Sequence, residues 1–209
     1  MIELHSWKTP NGHKVTMALE ELGLDYRIHP IDIGKGQQFD PAFLSIAPNN
    51  RIPAIVDDDP ADGGEAVALF ESGAILLYLA QKAGALLPAE ERSRLEATQW
   101  LFWQMAGLGP MMGQALHFRR FAPEPVPYAV DRYTAEIARL FRVLDRHLAD
   151  RPFIAGGDYS VADIACYPWI VLHEWAGQSL DDFPELRRWF EAIRDRPATE
   201  RAYAIDYVR

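Results

Sequence analysis

The sequence predicts an α/β domain over residues 1–82 followed by an all-α domain over residues 90–209. Three observations carry that division. The N-terminal part alternates short β-branched runs with amphipathic stretches. From Arg92 onward the hydrophobic period is helical throughout, with no strand-like run. Between the two, Gly84 to Glu91, around Leu86-Leu87-Pro88, interrupts both patterns as a linker does.

Ile2 to Ser6 reads as a first strand. Thr9 fits a helix N-cap with Pro10 at the first helical position, and Val15, Ala18, Leu19 and Leu22 recur at helical spacing until Gly23 ends the helix. Tyr26 to Ile31 is a second strand, followed by a polar loop from Gly34 to Asp40 and a short turn around Pro41 to Leu44. Pro53 to Val56 and Ala66 to Phe70 form a hairpin whose loop, Asp57 to Glu65, is rich in Asp, Pro and Gly. A helix follows, with Ser72 as its N-cap. The order β-α-β, loop, β-β-α matches the thioredoxin fold.

In the second domain, Arg92 to Phe121 predicts one long helix disturbed at Gly107-Leu108-Gly109-Pro110, where proline removes an intrahelical bond. Tyr133, Ile137, Leu140, Phe141, Leu144 and Leu148 share a face of the next helix. Ser160-Val161-Ala162-Asp163 is a capping box, with Tyr159 and Ile164 set for a hydrophobic staple. Leu186, Trp189, Phe190 and Ile193 mark a further helix.

Composition narrows function. A chain of 209 residues with 49% hydrophobic and 24% charged content is ordinary for a globular protein. Its formal charge of −9 opposes a general nucleic-acid or anionic-membrane surface, because both need clustered cations. One cysteine, Cys166, excludes an intramolecular disulfide and a zinc cluster, as a reducing cytosol permits. The start Met1-Ile2-Glu3-Leu4-His5 lacks the basic and apolar regions of a signal peptide, and no run is long enough to span a bilayer. A cytoplasmic location is therefore expected, with no nucleic-acid, membrane or metal partner.

Chemistry concentrates at strand ends. In Leu69-Phe70-Glu71-Ser72-Gly73-Ala74-Ile75 an apolar run meets an acid and a hydroxyl at a helix start. The pair either caps the helix or receives a ligand end bearing both ammonium and carboxylate, since free backbone N–H groups favour an anion and Glu71 favours a cation. In Asn50-Arg51-Ile52-Pro53-Ala54-Ile55-Val56 a proline stands at a strand mouth. A cis Ile52-Pro53 bond there would turn the Ile52 N–H and C=O outward to pair with an extended peptide.

These segments resemble the glutathione S-transferase family. The likeness extends along nearly the whole chain: T-P-N-G-H-K-V, G-K-G-Q-Q-F, A-P-N-N-R-I-P-A-I-V-D, F-E-S-G-A-I-L-L-Y-L-A, Q-W-L-F-W-Q and S-V-A-D-I-A are similar to the bacterial nu-class, the disulfide-bond oxidoreductase branch. The resemblance implies a glutathione transferase fold, homodimerisation, and glutathione as co-substrate in reduced or disulfide form without a metal. It also implies roles. Thr9 and Asn11 handle the sulfur in place of the tyrosine that is absent from Ser6 to Lys14. A thiol of pKa about 8.5 needs such donors to ionise at neutral pH. Gln38 and Arg51 lie near the glycyl end, Ile52 with Pro53 offers the peptide pairing, and Glu71 and Ser72 hold the γ-glutamyl end. Arg132 matches an arginine that reaches glutathione from the neighbouring subunit; read from the residues alone such a residue is more often a solvated helix cation than a cross-subunit ligand.

The implied reaction is reduction of small disulfides by two glutathione thiols. Its rivals are conjugation of electrophilic substrates at the same site and a non-catalytic glutathione-binding regulatory module. Trp100, Phe102, Trp103, Met105, Met111 and Met112 either line a pocket or fill core, with a mixed role expected for Trp103 and Met112. Cys166, in a core helix, is expected to be buried and redox-silent.

Overall fold

A computed structural model describes residues 1–207. The chain divides into two compact units, Met1–Leu87 together with the segment from Arg196 onward, and Pro88–Asp195.

The first unit is built on a four-stranded sheet of order β2-β1-β3-β4, from β1 (Ile2–Ser6), β2 (Tyr26–Pro30), β3 (Ala54–Asp57) and β4 (Val67–Phe70). β1 runs parallel to β2 and antiparallel to β3, which pairs antiparallel with β4 as the expected hairpin. The parallel step requires a crossover, and α1 (Pro10–Leu22) supplies it. Its ends obey local rules: Thr9 is the N-cap in extended backbone, its Oγ1 accepting the Gly12 N–H at 3.2 Å, and Gly23 closes the helix at φ 62°. α3 (Ser72–Ala83) packs on α1, and Leu4, Ile55, Val15, Leu19, Ile75, Leu76 and Leu79 are fully buried. The short α2 (Pro41–Leu44) seats Phe43 in a separate cluster with Ala47 and Ala54, which Ile31, Ile46 and Ile52 flank.

α9 (Pro197–Ala204) also packs on α1, which corrects the expected extent of the helical domain, 90–209. The reason is a set of contacts remote in sequence: Arg196 makes a two-pronged pair with Glu21 (2.6 and 2.9 Å), Arg201 bonds Glu20 (2.6 Å), and Tyr203 stacks on His13.

The second unit comprises α4 (Glu91–Trp103), α5 (Gly109–Leu116), α6 (Pro127–His147), α7 (Val161–Ile170) and α8 (Pro184–Arg194). The single long helix expected from Arg92 to Phe121 is instead interrupted by wide π-type turns at Gln104–Leu108 and His117–Phe121. Pro110 has no N–H to donate, and immediately before it the Gly109 N–H bonds the Gln104 carbonyl, one residue further back than in an α-helix. The capping box forms as expected. Asp163 accepts from the Ser160 N–H and from Ile154 N–H, each at 2.9 Å, and from Trp189 Nε1 at 2.7 Å, tying the start of α7 to α8. Cys166 is buried within α7. Among the described residues no helix is long and apolar enough to cross a membrane.

Candidate active site at one end of the sheet

Strand register gathers the site. His5 pairs with Ala54, and Ala54 with Phe70, so the C-terminal end of β1, the entry to β3 and the exit from β4 lie at one end of the sheet. Ser6 pairs with Pro30, which brings the loop after β2 to the same end. Thr9, Asn11, Gln38, Arg51, Ile52, Pro53, Glu71 and Ser72 all stand in segments that leave or enter the sheet there. Arg132 belongs to the second unit, exposed on α6 beside Met111, Tyr133, Glu136 and Arg139.

The β1–α1 turn is tightly set. Thr9 N–H donates to the Trp7 carbonyl at 2.8 Å, and Thr9 C=O accepts the His13 N–H at 2.9 Å. Because Thr9 caps the helix through an oxygen lone pair, its hydroxyl proton remains available to an outside acceptor. Capping and ligand contact are compatible there. Asn11 sits half-buried in the first helical turn.

Ile52-Pro53 is cis, as anticipated. Ile52 lies beyond the last ladder pairs of β3 with both neighbouring strands. Arg51 is exposed. Gln38 carries a buried Oε1 that accepts no hydrogen bond among the described residues, whereas its neighbour Gln37 accepts the Asp32 N–H at 2.7 Å. A buried amide oxygen of this kind needs a partner.

At the start of α3 the structure corrects one expectation. The N-cap is Glu71 rather than Ser72, which is the first helical residue. Glu71 takes φ 73°, ψ 111°, a conformation that costs a non-glycine residue on the order of 1–3 kcal/mol and that recurs at ligand sites. Its carboxylate makes no capping bond to its own helix. The Ser72 hydroxyl is buried and accepts from Lys14 Nζ at 3.5 Å. Pure capping by this pair is therefore not what the structure displays.

Three further residues near the site are not among those the sequence assigns to it, and His13 is a lone histidine that the sequence reads as structural rather than acid–base. Lys14 is 1% exposed and connects α1 to the start of α3; its signal was a cation directly before the apolar positions Val15, Met17, Ala18 and Leu19. Gly12 allows the first turn of α1 to rest on the strand end, since a Cβ there would fall 2.2 Å from the Trp7 carbonyl oxygen. His13 is buried, with rings 4.1 Å from Tyr203 and nearly parallel. Burial, then the Lys8 charge, hold its pKa down at about 4, against a hydrogen bond to the Ala202 backbone. It is neutral at physiological pH. Of the aromatic and methionine set, Trp100 and Met112 are buried, Trp103, Met105 and Met111 are half-buried, and Phe102 is 64% exposed. Met112 is core, which corrects the mixed role expected for it: a side chain with no exposed surface contacts no ligand. Among the described residues no group of three metal-ligating side chains occurs.

A thioredoxin-type sheet presenting a helix start, a strand mouth and an acid–hydroxyl pair at one end, on a chain that continues into a helical unit, has the architecture of a glutathione transferase. The N-terminal domain of glutathione S-transferases matches residues 1–81 and the C-terminal domain residues 108–197. The chain belongs to the glutathione S-transferase family of enzymes. It is 55% identical, over 97% of its length and 94% of the relative's, to the disulfide-bond oxidoreductase YfcG of Escherichia coli. Among solved structures it is similar to a glutathione transferase family member of Pseudomonas fluorescens with two glutathiones bound (TM-score 0.92, 44% identity, covering 98% and 93% of the two chains). It is also similar to a glutathione transferase of Pseudomonas putida with one glutathione disulfide bound per subunit (TM-score 0.92, 41% identity, covering 98% and 91%).

Proposed function

We propose that this chain is a glutathione-dependent disulfide-bond oxidoreductase of the nu-class branch, acting as a cytoplasmic homodimer. The observation that carries the reading is the convergence of the Thr9–Asn11 turn, the Ile52-Pro53 strand mouth and the Glu71–Ser72 helix start at one sheet end. Glutathione has a matching part for each. Its γ-glutamyl carboxylate meets the α3 N-terminus and Ser72, and its α-ammonium meets Glu71. Its cysteinyl backbone pairs with Ile52 as an added strand residue. Gln38 and Arg51 take the glycyl end.

The sulfur then lies at the start of α1. The Thr9 hydroxyl and the Asn11 side-chain amide donate to it and lower its pKa, so a larger share is thiolate at neutral pH. The thiolate attacks one sulfur of a small disulfide. A new S–S bond joins glutathione to half of the substrate, and the other half leaves as a thiolate that takes a proton from water. A second glutathione thiolate attacks the glutathione sulfur of this mixed disulfide. Glutathione disulfide forms, and the remaining substrate thiolate departs. Two electrons pass from two glutathiones to one disulfide, and no protein cysteine is needed. The lone Cys166, buried in α7, fits that economy. Arg132 is assigned to a glutathione carboxylate of the neighbouring subunit.

The test is turnover of hydroxyethyl disulfide with glutathione, coupled to glutathione reductase, beside conjugation of chlorodinitrobenzene. Faster disulfide reduction supports the reading. Conjugation alone makes the chain an ordinary transferase, and glutathione binding with neither activity makes it a binding module.

A further inference from the structure

The β1–α1 turn is closely packed where it leaves β1. Ser6 ends β1 fully buried, its Oγ 3.5 Å from the Trp7 carbonyl oxygen. Gly12 rests on these atoms: a Cβ there would stand 2.2 Å from Trp7 O and 2.6 Å from Ser6 Oγ. The same carbonyl accepts the Thr9 N–H at 2.8 Å. Any shift of Trp7 is therefore passed directly to Thr9, through a bond on one side and a backbone contact on the other.

Tyr207 stands beside the two residues that carry this contact, Ser6 and Trp7. It is 4% exposed, and its ring meets Trp7 edge-on with centroids 6.1 Å apart at 62°. Its hydroxyl lies beside those of Ser6 and Thr16, without a well-aligned hydrogen bond to either. Thr16 in turn donates to the His13 carbonyl at 3.2 Å. Tyr207 reaches this place because the segment before it is fastened along α1, by Arg196 on Glu21, Arg201 on Glu20 and Tyr203 on His13. The C-terminal segment thus packs on Ser6 and Trp7, which lead into the turn that carries Thr9 and Asn11.

We propose that Tyr207 is a positioning residue for glutathione thiol activation: packed on Ser6 and Trp7, it fixes the turn that aims the Thr9 and Asn11 donors, without touching the ligand. The proposal rests on the reaction assigned above. A donor displaced by a fraction of an ångström loses its alignment to sulfur, while the ends of glutathione are held by other segments. Loss of Tyr207 should accordingly lower thiol ionisation and kcat and spare binding.

The experiment uses the complete chain with Tyr207→Phe, which keeps the ring but vacates the place of its hydroxyl beside Ser6 and Thr16, and Tyr207→Leu, which keeps only apolar bulk. For each, the ultraviolet absorbance of bound glutathione thiolate is titrated against pH. Glutathione Kd is measured by calorimetry, and kcat with hydroxyethyl disulfide. Tyr207→Phe should lower kcat about threefold and Tyr207→Leu on the order of tenfold or more. In both, the thiolate titration should move to higher pH in the same order, with Kd within about a factor of two. Wild-type titration and kcat in both variants would overturn the proposal, as would a loss confined to Kd. Should Tyr207→Leu not fold, Tyr207→Phe decides alone. The titration needs no disulfide. A wild type that ionises bound glutathione yet turns over no disulfide therefore removes the proposed reaction and leaves this inference standing, whereas unshifted variants remove this inference alone.

Discussion

Protonation of His13 should open the contact between α1 and the C-terminal segment. The imidazole is buried, stacked 4.1 Å from the Tyr203 ring, and has a pKa lowered from 6.5 to about 4, chiefly by burial and secondarily by Lys8. A histidine whose folded pKa lies below its unfolded value contributes stability that is fully present above the unfolded pKa. That stability is lost as pH falls towards the folded pKa, because the unfolded chain binds the proton first. The window here is pH 6.5 to about 4, and at 1.36 kcal/mol per pH unit the full loss is about 3 kcal/mol. Roughly 2 kcal/mol of it falls between pH 6.5 and 5, above the range where Glu3, Glu20 and Asp57, whose pKa values are lowered, begin to protonate. His5 also has a lowered pKa and adds loss of the same sign, so the comparison is made on one residue. Urea unfolding of the wild type and of His13→Gln at pH 6.5 and pH 5 should show the variant losing about 2 kcal/mol less over that interval. Equal losses in the two proteins, or an NMR titration of His13 with a midpoint near 6.5, would refute the argument.

Asn11→Ala and Thr9→Ala should each lower disulfide reduction, Asn11→Ala on the order of a hundredfold, while glutathione still binds by calorimetry; unchanged turnover in both removes them from the mechanism. Glu71→Ala should weaken glutathione at least about tenfold, the worth of a charged hydrogen bond, with kcat at saturation little altered. Full affinity in that variant would leave Glu71 as a helix boundary and nothing more. Cys166→Ala should keep disulfide reduction within about a factor of two at a modest stability cost. Mass spectrometry during turnover should find no glutathione on Cys166, and an adduct there would end the cysteine-free mechanism.

What the sequence revealed divides by range. Thr9 with Pro10, Gly23, and Ser160 with Asp163 act within one helical turn of themselves, and their roles were legible because the physics that sets them is local. The β3–β4 hairpin and the strand-mouth proline were legible for the same reason. The return of α9 to the first unit was not: its bonds join Arg196 to Glu21 and Arg201 to Glu20, and no pattern near Arg196 distinguishes a helix that packs forward from one that packs back. The start of α3 failed for a subtler reason. Serine before an apolar helical run is a good N-cap, but Glu71 takes a positive φ and the N-cap position, so the helix begins one residue earlier, at Ser72, and Lys14 then meets the serine hydroxyl.

The same division explains how the candidate site is made. None of its first-unit residues lies within a strand; each lies where an element starts or stops, so ladder register and capping decide their positions together. Register alone brings Ile52 and Glu71 to the same sheet end, because β3 and β4 leave the ladder together at Ala54 and Phe70. Capping, with the bond to the Trp7 carbonyl, sets Thr9, whose hydroxyl oxygen is engaged by Gly12 while its proton stays free. Gly12 joins the two. With hydrogen in place of a side chain, the capped turn rests on the last residues of β1, and the donors of one element are referenced to the ladder that orders the others. A methyl group there should act at a distance from the ligand. Gly12→Ala forces a contact of 2.2 Å with a backbone oxygen that cannot swing aside, so the turn must lift from the strand. Because Ile52 and Glu71 are placed by the β3 and β4 ladder rather than by this turn, that variant should retain glutathione while losing turnover on the scale of Asn11→Ala. Wild-type turnover in a folded Gly12→Ala protein would mean that the donors are not located by this turn.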